Sequence, residues 1–135
     1  MNFFKLFAHG VDFNADAYFS TDPIGFDRVW RVGEQHYKTN GVEKLLGDGE
    51  QLTVFDQDQI ATAFLEKHEA ELSALGKLPG VDTLILGLQY RTEFGPDLRG
   101  FYLSFSARLT YFALRTGVSP SFYVDLVPND EWDDI

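Results

Sequence analysis

Near residue 56 the spacing of apolar side chains changes, and that change narrows the fold more than any other feature of the chain. From Asp56 onward Ile60, Phe64, His68, Leu72 and Leu75 recur at helical spacing, while Glu66, Lys67, Glu69 and Glu71 mostly face away. This predicts a long amphipathic helix, with Asp56 and Gln59 resembling a capping box and Gly76, Pro79 and Gly80 ending the run. Over 81–92 the period shortens to two: Leu84, Leu86, Leu88 and Tyr90 alternate with Thr83, Ile85, Gly87, Gln89 and Arg91. Side chains alternate in this way along a strand with one face in a core. Helix and sheet must therefore pack on each other.

The remaining segments extend the same pattern. Residues 2–9 read as a strand, with Phe4, Leu6 and Ala8 on one face and Phe3, Lys5, Phe7 and His9 on the other. Asn14 is placed to cap a short helix ending near Ser20, before Asp22–Pro23. Residues 28–32 form a strand turning at Gly33, and 37–44 either pairs with it or forms a loop around Asn40–Gly41. After a turn at Gly95–Pro96–Asp97, a short strand over 99–103 precedes a helix capped by Ser104 or Ser106. That helix buries Phe105, Leu109, Phe112, Ala113 and Thr116 and stops at Gly117. A last strand over 121–127 turns Phe122, Val124 and Leu126 inward and Tyr123 and Asp125 outward. The expected fold is a single two-layer α+β domain over 1–128, with a mainly antiparallel or mixed sheet of about 4–6 strands. Two longer helices and one short one are expected on one face, and residues 129–135 form an acidic tail.

Composition narrows the function. At 135 residues, 44% of them hydrophobic and 13 of them phenylalanine, the chain has the apolar content for one well-buried core. It has no cysteine, which excludes disulfides, thiolate zinc sites and cysteine nucleophiles and fits a reducing cytoplasm. The start, MNFFKLFAHGVD, lacks the features of a secretory signal. No uncharged apolar run approaches the roughly 18 residues that would span a bilayer, so a soluble cytoplasmic protein without membrane attachment is expected. A formal net charge of −10, from 21 acids against 11 bases, repels nucleic acid and draws basic proteins. The ending NDEWDDI, with four acids around Trp132, reads as a solvated tail or as acidic bait for a partner.

Catalytic patterns are missing. Neither phosphate-binding glycine loop occurs, nor HExxH, nor GxSxG, and the three histidines are far apart, so no metal or cofactor is expected. His68, on the apolar stripe, reads as a packing residue. His9 and Asp125 would form an acid–base pair only if their strands were neighbours. Two surfaces look more like binding. One is an open sheet face carrying Phe3, Phe7 and Tyr123 among Lys5, His9, Gln89, Arg91 and Asp125, aromatic residues with a polar rim. The other is the helix stripe Arg108, Tyr111 and Arg115, suited to an acid or phosphate or to pairing with the tail. In FDRVWRVGEQHY, residues 26–37, alternation sends Trp30 toward the core with Arg28 and Val32 on its side. Arg31, Glu34, His36 and Tyr37 are left at the turn as a candidate binding rim, and Trp30 is counted with them as a candidate partner contact.

The early Asn14-Ala15-Asp16 helix, Trp30-Arg31-Val32-Gly33-Glu34, the helix from Asp56 and the ending Phe101-Tyr102-Leu103-Ser104, helix, Phe122-Tyr123-Val124-Asp125-Leu126 together resemble a bacterial domain-of-unknown-function family, number 4279. The resemblance covers nearly the whole chain. After Glu34 it departs from the family pattern, lacking a tryptophan-containing strand before the long helix. It implies a small bacterial α+β protein and no catalytic residues. The functional expectation is a non-enzymatic protein of the immunity or antitoxin kind that blocks a basic partner. The alternatives are a small enzyme using a histidine–carboxylate pair and a domain that self-associates through its aromatic sheet face.

Overall fold

A computed structural model describes residues 2–94 and 102–128. The elements run β1 (Lys5–Gly10), α1 (Ala15–Ser20), β2 (Arg28–Trp30), a single 3₁₀ turn (Glu34–His36), β3 (Asn40–Leu45), α2 (Val54–Lys67), α3 (Glu69–Gly76), β4 (Thr83–Phe94), α4 (Ala107–Thr116) and β5 (Ser119–Pro128). They build one open five-stranded mixed sheet in the order β2-β3-β1-β4-β5. β1 lies antiparallel between β3 and β4, β2 is antiparallel to β3, and β4 and β5 are parallel. Parallel neighbours need a crossover, and α4 supplies it. The fold is α+β, as the alternation of periods requires.

Burial follows the alternation. Phe4, Leu6 and Ala8 of the first strand segment and Leu84, Leu86 and Leu88 of β4 join Val42 in the core. On them pack Ala61 and Leu65 of α2, Leu72 and Leu75 of α3, and Leu109 and Ala113 of α4, with Ala15, Tyr18 and Phe19 of α1 alongside. Asn14 caps α1, Ser106 caps α4, and Gly117 closes α4 in the left-handed conformation with φ 78°.

The middle of the chain differs from expectation. The helix begins two residues before Asp56, because the Thr53 hydroxyl, and not Asp56, accepts the first free amide. It is also two helices. His68, at φ −109° and ψ 26°, breaks it, yet the break keeps the apolar stripe in phase, so the period does not register it. His68 is half-buried against Phe64, as a packing residue, whereas Ile60 is 37% exposed and off the stripe. Residues 37–44 do contain a strand, β3, and it lies inside the sheet, paired on both sides. The expected turn at 95–97, most of the 99–103 strand and the tail at 129–135 lie outside the described residues.

Candidate functional site

The core residues leave the second face of the sheet without a helix among the described residues. Register assembles that face. His9 pairs with Gly41 on one side and Thr83 on the other, and Gly41 pairs with Trp30. Phe7 stands between Glu43 and Ile85, while Gln89 pairs with Tyr123 and Arg91 with Asp125. Opposed residues in a sheet point to the same side, so all of these share one surface. Among the described residues no helix covers this face and Phe3, Phe7 and Tyr123 lie on it, but Gln89, expected among its polar residues, is buried.

Trp30 is on it too, and this corrects the expectation that it enters the core. Alternation correctly groups Trp30 with Arg28, but Val29 is the β2 residue that packs on the core. The indole is held by Gly41, where a side chain of any size would fall inside the ring. Only 7% of Trp30 is exposed, and its Nε1–H has no hydrogen-bond partner among the described residues. Tyr37 packs at 5.5 Å and Phe7 at 6.5 Å between ring centroids. The Arg28 guanidinium lies 5.4 Å from the Trp30 ring and 5.6 Å from the Tyr37 ring, within cation–π range. It also donates to the Tyr37 hydroxyl at 3.0 Å and to Glu43 at 3.1 Å. Lys5 reaches the same Glu43 carboxylate at 3.4 Å.

At the other end Phe3 stacks on Tyr123 at 3.7 Å, with the Lys5 ammonium 5.4 Å from the Phe3 ring. Arg91 sits between Glu50 at 3.8 Å and Asp125 at 3.9 Å. Lys5, Arg28 and Arg91 thus meet Glu43, Glu50 and Asp125 within the face. Although the chain carries −10 overall, these three cations are matched by three carboxylates on this surface.

The rim proposed at the turn divides. Tyr37 belongs to the open face. Arg31 points the other way and clamps α1, donating from Nε to Asp16 at 2.8 Å, and this bond first, with the charge of Arg31, holds the Asp16 carboxyl below its ordinary value. Glu34 accepts from the Arg31 amide at 2.7 Å and stays with the turn. His36 is exposed. Gly33, Gln35 and His36 adopt φ of 92°, 47° and 67°, so the turn carries two non-glycine residues in a strained region.

No acid–base pair forms from His9 and Asp125. β4 separates their strands, and their positions along it, Thr83 and Arg91, are eight residues or about 26 Å apart. The helix stripe is paired within the protein: Arg108 bonds Glu66 at 2.9 Å, and Arg115 bonds Glu69 and, at 3.2 Å, the Tyr111 hydroxyl. An open groove of about 750 Å³ lies between α2 and residues 102–108, edged by Phe55 and Tyr102. The buried Asp58 carboxylate in its wall is already engaged by the Ser106 amide at 2.9 Å and hydroxyl at 2.6 Å. Among the described residues no cluster of three or more His, Asp or Glu is placed to hold a metal, and no helix is long and apolar enough to cross a membrane.

Three contributors to the face were not singled out from the sequence as site residues: Glu50, from the loop before α2, and Arg28 and Glu43. Only the register of β2 on β3, which places the last two directly opposite, brings those two together. Comparison with protein-family models finds no match, and comparisons with curated proteins and with solved structures likewise find none.

Proposed function

We propose that this is a non-enzymatic binding protein that docks a basic partner protein on its helix-free sheet face, in the manner of an immunity protein or antitoxin. One observation carries the reading: five aromatic side chains, Phe3, Phe7, Trp30, Tyr37 and Tyr123, lie across that face with their charged neighbours already paired to one another. Aromatic residues and arginine dominate the energetics of protein interfaces, and internally paired charges can be covered without stranding an unpaired ion. The net charge of −10 acts at longer range. It steers a cationic protein toward the chain, whereas the aromatic face sets how long the complex lasts.

The test is co-expression with basic proteins encoded beside this gene, followed by purification of any complex and titration of its parts. A one-to-one complex is expected, with an association rate that falls about tenfold between low and physiological salt. Tyr123→Ala, at a residue 42% exposed, and Trp30→Ala are each expected to weaken binding at least tenfold through faster dissociation. Arg31→Ala, on the opposite side, is expected to leave affinity within about twofold. Full affinity in both face variants would sink the reading.

A further inference from the structure

We propose that two copies of the chain associate edge to edge through β5, continuing the five-stranded sheet into one of ten strands. The two edges of the sheet are unequal. β2 is three residues long, whereas β5 is ten, and among the described residues nothing pairs with its outer side. An edge of this kind presents a row of backbone donors and acceptors to any extended chain. Proteins usually blunt such edges with lysine, a bulge or an internal proline. β5 has no lysine, and its pairing with β4 runs from Ser119 to Pro128 without a slip. Its sole charge is Asp125, and its prolines stand at 120 and 128.

The prolines select the register. They bracket a window from Ser121 to Val127 whose midpoint is Val124. A two-fold axis normal to the sheet at Val124 makes the two strands antiparallel and keeps like faces together. Phe122 then lies opposite Leu126 of the second copy on the helix side. Val124 meets its own copy on that same side, and on the open side Tyr123 lies opposite Asp125, a phenol beside a carboxylate. Moving the axis to residue 125 sets Asp125 against Asp125, and moving it to residue 123 sets Leu126 against a proline. Only the central register matches apolar to apolar and avoids like charges. It also accounts for Leu126, whose inward pattern predicts burial but which is 47% exposed in the single chain.

This association does not rest on what the open face binds, although Tyr123 belongs to both surfaces. With the axis normal to the sheet, both aromatic faces point the same way, so the dimer is a bivalent platform.

The chain has no cysteine, so Val124→Cys introduces a single thiol on the axis. Directly opposed Cα atoms in an antiparallel pair are about 5 Å apart, inside the range a disulfide spans. Mild oxidation of the full chain is expected to yield covalent dimer at least tenfold faster than for Val11→Cys, at a residue 57% exposed and far from β5. Sedimentation of the unaltered chain is expected to show a monomer–dimer equilibrium that Leu126→Lys weakens at least tenfold, with its circular dichroism unchanged, and that Phe7→Lys on the open face leaves in place. Equal cross-linking of the two cysteine variants, a monomer up to millimolar concentration, or a dimer lost in Phe7→Lys and kept in Leu126→Lys would each overturn the proposal.

Discussion

Gln57 shows what one polar side chain does where a sheet runs out of partners. β1 pairs with β4 only as far as Gly87, so the backbone of Gln89 has no strand on that side. The fully buried Gln57 amide takes the place of one, donating to the Gln89 carbonyl at 2.7 Å and accepting from the Gln89 amide at 2.7 Å. It donates as well to the Leu52 carbonyl at 3.0 Å, which ties the loop before α2 to the sheet. Gln57→Leu removes every one of these bonds and strands two buried backbone groups, so urea unfolding is expected to show a loss of about 3 kcal/mol. Gln59→Leu, on the exposed side of the same helix, is expected to stay within about 0.5 kcal/mol. A second residue-scale expectation concerns acid. The hydrogen bond from Arg31 lowers the Asp16 pKa in the folded state, so this pair stabilises the fold above the ordinary carboxylate value near 4 and that contribution is lost as pH falls through the depressed value. Carboxyl NMR titration is expected to place the Asp16 midpoint below that of a free aspartate, and Arg31→Ala to return it.

Elements are joined in this molecule by side chains at their ends. The Asp58 carboxylate on α2 accepts from both the amide and the hydroxyl of Ser106, while the Ser106 oxygen accepts the Leu109 amide and caps α4. Asp58→Ala is expected to cost about 2 kcal/mol in thermal or urea unfolding, and Asp58→Asn, which retains an acceptor, less than half of that. Such junctions mark the limit of what the chain reveals as a string of letters. Alternation over 2–9, 81–92 and 121–127 identifies three strands and their inward faces, and Asn14 and Gly117 are readable as caps, with Ser104 or Ser106 as the third, because each of these signals is local. Trp30 was not readable in the same way. Its period says that it shares a side with Arg28, but which side is the core depends on Gly41, a residue on another strand that makes a slot for the indole. The candidate rim of Arg31, Glu34, His36 and Tyr37 divided for a related reason. Three left-handed residues turn the backbone between Arg31 and Tyr37, and no spacing rule tracks a side chain through such a turn.

At the scale of the whole molecule, charge and apolar surface are separated. The acids that make the chain −10 are carried mostly outside the aromatic face, where three cations pair with three carboxylates. Attraction at a distance and adhesion at contact thus reside on different parts of one small domain, and substitutions can alter either one alone. The order of the sheet has a further bearing on how the chain comes together. β1, β3 and β4 are complete once residue 94 has been made, and they can zip as antiparallel neighbours. β5 is the last of these strands to be synthesised, and α4 lies between it and β4 along the chain. Closing so long a loop is slow compared with closing a hairpin. Until it closes, the twelve-residue β4 has one flank bare, and from Leu88 to Phe94 neither β1 nor β5 lies beside it. The nascent domain is therefore most vulnerable to wrong pairing in the interval between making β4 and making β5.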